Sequence, residues 1–399
     1  MSTVYERLGV TPIINAFGTN TRLSGGLMAP EVSQAMVEAS QYCVDMVELQ
    51  ARASLLIAEA TGAEAGYVTS GAAAAVLLGL AACLTGLDPD KMNRLPDTTG
   101  MKSEIVVPRS HRNFYDRAAR SLGAKVVEVG ISDRFSDTGV RDVEPWEIAA
   151  AITERTAAVY YLAKPFSQPT LPEVVAVARM RGVPVVVDAA AELPPVENLR
   201  RFIGEGADLV AYSGGKAIGG PQASGILTGR RDLIAAAALQ NFDLDVFFDL
   251  FDPPPAFIDK SRLPGLPQHG IGRPCKVGKE EIVGLLTALR LFHTNGEERR
   301  QRWQKLNAAL LAELQPIAAL EAAPAANPRR TAIPLVEVRL RERNDGLDMR
   351  GLVRRLEAGT PSLRCNISAM AEGVLYLSPA CLREDQLPAI AEKFRAALG

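Results

Sequence analysis

From about residue 65 to about residue 228 the chain alternates short, unbroken apolar runs with amphipathic stretches. Runs of this length, apolar at every position, suit parallel strands buried on both faces, and the stretches between them suit the helices that cover those faces. The pattern predicts strands at 65–68, 104–107, 125–129, 157–162, 183–187, 208–211 and 225–228. It predicts helices at 72–84, 113–122, 145–152, 172–181 and 196–203. The fold expected is therefore α/β, a mostly parallel sheet between two helical layers.

The flanks read differently. Residues 1–29 are rich in Gly, Asn and Thr and suggest an extended arm. Pro30 opens a helical pattern that breaks near Tyr42–Asp45 and stops at Gly62, as Pro at a helix start and Gly past its end should do. Residues 241–275 carry five phenylalanines, the run Pro253-Pro254-Pro255 and several glycines, and suggest a lid or interface loop. Helices are expected at 279–292 and 297–315, and a small α/β domain after them, with strands at 335–340 and 374–377 and helices at 349–357 and 384–398. This divides the 399 residues into an arm (1–29), a large domain (30–295) and a linker helix with a small C-terminal domain (296–399).

Composition excludes several functions. Basic and acidic residues number 44 and 46, without the positive excess that duplex nucleic acid requires. The five cysteines show no CxxC spacing, and with three histidines and no HExxH pair no metal site is expected. The N-terminus lacks a signal-peptide apolar core, and no apolar run reaches the roughly 18 residues of a membrane span. A cytoplasmic enzyme or binding protein is expected, with no nucleic-acid or membrane partner.

Three local features carry chemistry. Thr69, Ser70, Gly71 and Ala72 form a small-residue turn between a strand and a helix. There the helix N–H groups and dipole favour an anion, although alone it reads first as a tight turn with an N-cap Ser. Asp188 ends an apolar strand, where α/β sheets bind ligands; alone it also reads as a helix cap. Lys216 follows a short strand between Gly214-Gly215 and Gly219-Gly220. A partly desolvated lysine can form a Schiff base with an aldehyde, whereas alone it also reads as a solvated loop lysine. The GxGxxG and GxxxxGK[ST] fingerprints are absent, which argues against an NAD-binding or nucleoside-triphosphate enzyme. In this order the three features suit pyridoxal 5′-phosphate (PLP): the turn for its phosphate, Asp188 for its ring nitrogen, Lys216 for its aldehyde.

The chain resembles the fold-type-I PLP enzymes, and among them the group of selenocysteine synthase (L-seryl-tRNA(Sec) selenium transferase) and D-glucosaminate-6-phosphate ammonia-lyase. The matching stretches are Pro12–Ala16, Thr61–Ala65 leading into Thr69–Ala73, Ser110–Asn113, Ser213–Lys216 with Gly219–Gln222, Gly270–Arg273 and Lys276–Lys279. The resemblance implies a seven-stranded-type sheet. It makes Lys216 the catalytic lysine, Asp188 the ring-nitrogen partner and His111 a neighbour of the cofactor ring, stacked on it. Ser70, Gly71, Ala72, Ser213 and Arg273 would bind the cofactor, with Arg273 and Lys276 reaching a neighbouring subunit's site. Asn15, Thr19, Arg22, Gln222 and Arg364 would line the substrate pocket. A homodimer or a higher homo-oligomer is implied.

Two departures bear on substrate. The transferases carry an N-terminal tRNA-binding region, whereas the resemblance here begins within the first fifteen residues, so no tRNA substrate is expected. The lyases carry an Arg soon after a Pro-Pro pair and an Asp-Pro-Arg-Pro segment; here stand Pro361-Ser362-Leu363-Arg364 and Ser378-Pro379-Ala380-Cys381. The function expected is attack at Cα of a small amino acid or amino sugar acid, by ammonia-lyase or β-elimination chemistry. Racemisation or epimerisation, retro-aldol cleavage, a selenium-transferase-like reaction and a non-catalytic PLP-fold binding protein are the alternatives.

Overall fold

The computed structural model describes residues 3–131, 143–326, 332–341 and 347–399. Its strands, in chain order, are β1 Ile13–Ala16, β2 Ala65–Thr69, β3 Glu104–Pro108, β4 Lys125–Val129, β5 Thr156–Leu162, β6 Val185–Asp188, β7 Leu209–Ser213, β8 Gly225–Gly229, β9 Leu320–Pro324, β10 Val336–Leu340, β11 Ser362–Cys365 and β12 Leu375–Leu377.

The chain divides into two compact units, Met28–His293 and Met1–Leu27 with Thr294–Gly399. In the first, seven strands form one sheet in the order β2-β8-β7-β6-β5-β3-β4. Every pair from β4 across to β7 is parallel, and β8 runs antiparallel to both β7 and β2. The strand expected at 225–228 is thus the one that reverses. The connection from Ser213 to Gly225 holds no crossover helix, which a parallel return would need.

Two apolar layers sandwich this sheet. One gathers Tyr67, Val107, Tyr160, Val186, Ala211 and Leu227 against the helix Ala72–Thr85. The other gathers Val68, Val106, Tyr161, Val187 and Tyr212 against the helices Leu171–Met180 and Lys279–Thr294. The helix Ala72–Thr85 lies close on the sheet because Gly79 has no side chain; a Cβ there would come within 3.2 Å of Leu227 and 3.3 Å of Leu209. Upstream, Asp45 caps the helix Met46–Thr61 by accepting from Val47 and Glu48 N–H, and Gly62 ends it in the left-handed region at φ 71°.

Three segments differ from the sequence reading. The helix expected at 113–122 is split into a 3-10 turn, Phe114–Asp116, and a short helix, Arg117–Ser121. Asn113 caps the turn, its side chain accepting from Tyr115 N–H. A helix, Arg231–Asn241, stands where none was read, because it is buried on nearly every side and lacks an amphipathic period. The 241–275 stretch is a string of short turns that buries Phe242, Phe251 and Phe257 in the core, while Phe247 stays 81% and Leu250 72% exposed.

The second unit has its own core, including Leu310, Val336, Leu352, Leu363 and Phe394. An antiparallel sheet β12-β10-β9 forms in it, and β1 pairs in parallel with β11. The N-terminal residues are therefore not a free arm: β1 supplies Ile14 and Ala16 to this core. Four residues alternating half-buried and buried are too short a strand to recognise without the partner they pair with.

Candidate active site

Strand register places the candidate residues. Tyr160 lies opposite Val186 and Leu162 opposite Asp188; Asp188 lies opposite Ala211, and Thr69 and Ser213 both lie opposite Gly225. Alternate residues of a strand share a face. Thr69, Tyr160, Asp188 and Ser213 therefore share the face that carries the helix Ala72–Thr85, at the carboxyl ends of the parallel strands, where α/β sheets bind ligands.

The turn after β2 has a backbone that only glycine takes comfortably. Gly71 has φ 138°, and a Cβ there would meet nothing within 4 Å, so open space lies before the helix's first N–H groups. No side chain caps this helix, which leaves its first-turn N–H groups and dipole to an anion. From behind, Gly225 presses on the turn: a Cβ at 225 would sit 2.4 Å from the Gly71 carbonyl carbon and 2.7 Å from Ala72 N. The hydroxyls beside the turn have partners of their own. Thr69 Oγ1 donates to Gly71 O at 2.9 Å, and Ser70 Oγ donates to Cys275 O at 3.0 Å. A hydroxyl has one proton to give, and in this arrangement both protons go to backbone carbonyls.

Asp188 is 5% exposed. Its Oδ1 accepts from Ala190 N–H at 3.0 Å and its Oδ2 from the Tyr160 hydroxyl at 2.9 Å. The Asn113 amide donates in turn to the Tyr160 oxygen at 3.3 Å. Burial pushes the Tyr160 phenol far above its ordinary value, and the Asp188 charge adds to this, so the phenol keeps its proton.

Lys216 stands in a glycine-built loop after β7. Gly214 N–H donates to Ser224 O, Gly220 N–H to Gly214 O and Gly219 N–H to Lys216 O, at 2.9–3.0 Å. The two arms of the loop touch where side chains are missing: a Cβ at Gly215 would come within 2.4 Å of Gln222 Cα, and one at Gly214 within 2.3 Å of Ser224 Oγ. Burial pushes the Lys216 amine below its ordinary value and the Lys164 charge adds to this, while Asp188 and Glu192 oppose it. Lys164 and Glu192 pair at 2.8 Å.

The remaining candidates are placed as follows. His111 is 2% exposed, and burial pushes its imidazole down to about 4, with the Gln168 backbone opposing. Its ring meets Tyr161 edge-on at 4.6 Å, and its Nδ1 accepts from Leu162 N–H at 3.4 Å. Tyr161 belongs to the layer opposite Asp188. Ser213 is half-buried at the end of β7, and Gln222 is exposed. Arg273 pairs with Asp243 of its own chain, and Lys276 is exposed. Asn15, Thr19, Arg22 and Arg364 belong to the other unit. There Asn15 Oδ1 accepts from Phe17 and Gly18 N–H, Thr19 is half-buried and Arg22 exposed, and Arg364 pairs with Glu357 at 2.6 Å. The ligand atoms of Asp243, Asp245 and His269 lie within 4.8 Å of one another on the surface, with Arg273 already on Asp243. Sequence reasoning gave no role to Tyr160, Lys164 or Glu192, which stand in no motif, nor to Asn113, which closes the Ser110–Asn113 stretch.

A seven-stranded, mostly parallel sheet with a glycine-held lysine and a buried aspartate at its carboxyl edge is the architecture of a fold-type-I PLP enzyme. The SelA family, L-seryl-tRNA selenium transferase, matches residues 116–341. A 5′-C-glycyluridine monooxygenase-decarboxylase from a Streptomyces species is 34% identical over 96% of this chain and 88% of its own length. The D-glucosaminate-6-phosphate ammonia lyase of Salmonella typhimurium is 31% identical over 98% and 97%. A solved D-glucosaminate-6-phosphate ammonia-lyase superposes with a TM-score of 0.81 at 30% identity, covering 100% of this chain and 98% of that one. A serine palmitoyltransferase from S. paucimobilis with PLP bound shares the fold, with a TM-score of 0.57 at 16% identity over 98% and 89%. The chain belongs to the SelA-like family of PLP-dependent enzymes, and pyridoxal 5′-phosphate is its cofactor. Among the described residues no helix is long and apolar enough to cross a membrane.

Proposed function

We propose that this enzyme eliminates ammonia from a small amino acid or amino sugar acid, with Lys216 as its reactive amine and its general base. The observation that carries the reading is the half-buried Lys216, its amine pushed toward the neutral form by desolvation, in a loop beside a sheet edge that also bears Asp188. An amine that is neutral for part of the time can bond an aldehyde and can accept a proton; a fully solvated ammonium does neither well.

The residues present suit the cofactor. The space before Gly71 takes a phosphate, Asp188 offers a carboxylate to the ring nitrogen, and Lys216 offers an amine to the aldehyde. When bound, PLP supplies an electron sink for the charge left at Cα. Lys216 Nζ would take the Cα proton and give it to the substituent that leaves Cβ with its electron pair; the enamine released would tautomerise to an imine, whose hydrolysis gives ammonia and a keto acid. Asp188 would pair with the ring nitrogen and favour positive charge there. His111, buried and neutral, braces the end of β5 through Leu162 N–H and Tyr161. Near-full-length similarity to an enzyme named as an ammonia lyase supports this reaction class.

A second reading has an observation of its own. The relative at 34% identity is named for oxygen insertion with loss of a carboxylate. Oxygen uptake and carbon dioxide release, in place of anaerobic ammonia release, would favour it.

Borohydride reduction of the holoenzyme should leave a pyridoxyl tag on Lys216, found by peptide mass mapping, and Lys216→Ala should lose both tag and turnover. A tag on another residue, or none, overturns the assignment. A panel of amino acids and amino sugar acids, followed for ammonia and keto-acid release, tests the reaction. The exposed Phe247 and Leu250, 81% and 72% accessible, make the 241–275 stretch the proposed contact between two copies, since solvated aromatics of this kind mark association surfaces.

A further inference from the structure

We propose that Tyr160 and Asn113 form a relay that aims the Asp188 carboxylate at the ring nitrogen of the cofactor. This rests on the assignment of Asp188 as the partner of that nitrogen. It adds two positioning residues: Tyr160, which no motif marks, and Asn113, which closes the Ser110–Asn113 stretch.

The geometry fixes the direction of each hydrogen bond. Asn113 Oδ1 accepts from Tyr115 N–H at 2.7 Å, so the amide's N–H2 end is the one that faces the Tyr160 oxygen, at 3.3 Å. The Tyr160 oxygen receives that proton and gives its own to Asp188 Oδ2 at 2.9 Å. Asp188 Oδ1 is held independently by Ala190 N–H at 3.0 Å. Both carboxylate oxygens thus have a fixed donor, and the plane of the group is set.

Each carboxylate oxygen keeps a second lone pair, so the anchored group can still accept from a ligand. Its torsion cannot wander, because Tyr160 is a core residue and 1% exposed. Placement follows from strand parity: Tyr160 opposes Val186, and Asp188 is two residues further along β6 on the same face, within the diagonal reach of an aromatic side chain.

Charge gives the relay its chemical role. A carboxylate this buried is costly unless donors compensate it, and here the Tyr160 hydroxyl and Ala190 N–H do so. Polarisation by the Asn113 amide strengthens the phenol as a donor. With the phenol in place, the carboxylate is held in one orientation toward the ring nitrogen. Without it, Oδ2 loses its fixed donor, the carboxylate turns, and the ring nitrogen loses the partner that favours its protonated form.

The test uses Tyr160→Phe and Asn113→Ala holoenzymes loaded with PLP carrying 15N in the ring. Both variants should retain the borohydride tag on Lys216. In Tyr160→Phe the ring-nitrogen resonance should move toward its unprotonated position, and kcat should fall about 10- to 100-fold, the factor associated with a hydrogen bond to a charged group, with KM changing less. Asn113→Ala removes only the outer donor and should move the resonance the same way by less; it is also the informative variant if Tyr160→Phe fails to fold. An unchanged resonance in a tagged variant overturns the relay. Absence of the tag from the wild-type enzyme overturns instead the cofactor assignment beneath it, so the two failures are distinct.

Discussion

Lowering the pH from 7.5 to 5 should cost this protein stability through His111. The imidazole titrates at about 4 in the fold, because burial disfavours its charged form, against 6.5 in an unfolded chain. Between those values the unfolded chain binds a proton that the folded chain refuses. The stabilisation is fully present above pH 6.5, declines as pH falls, and is gone below about 4. A separation of about 2.5, at 1.36 kcal/mol for each pKa unit, amounts to about 3 kcal/mol in full and about 2 kcal/mol at pH 5. Urea unfolding at pH 7.5 and pH 5 should show this loss in the wild type and not in His111→Gln, which keeps an acceptor for Leu162 N–H but does not titrate. With only three histidines in the chain, the His111 resonance can be assigned in 13C-histidine-labelled protein and followed directly. A resonance titrating near 6.5, or equal pH losses in wild type and variant, would refute the reasoning.

Two further outcomes are expected. Gly225→Ala forces a Cβ to within 2.4 Å of the Gly71 carbonyl carbon; it should cost about 1–3 kcal/mol of stability and weaken PLP binding about 10-fold or more, and an unchanged PLP dissociation constant in the folded variant would show that the turn does not hold the phosphate. Phe247→Asp places a charge on the exposed patch at 241–275 and should shift a dimer toward monomer in sedimentation equilibrium while leaving the far-UV CD spectrum unchanged; a wild type that is already monomeric removes that patch as an interface.

Much of the site could be read from the chain because its parts are local. Asp188 follows four apolar residues directly, Lys216 is bracketed by glycine pairs, and the Thr69–Ala72 turn joins a strand to a helix. The roles of the hydroxyls could not be read. Ser70 donates to Cys275, 205 positions away, and no local signal records that partner. The same holds for His111, whose ring partner Tyr161 comes from two strands later. The helix Arg231–Asn241 escaped for another reason: burial on nearly every side removes the polar–apolar period that marks a helix.

The sequence by itself determined the alternation of strands and helices, the carboxyl-edge position of Asp188 and the glycine setting of Lys216, since each depends on neighbours a few residues away. Only the tertiary structure decided that β8 reverses, that β1 pairs with β11, and that Tyr160 and Asn113 sit behind Asp188. Those contacts join segments tens to hundreds of residues apart, and they follow from strand order and register, which no short stretch of sequence encodes.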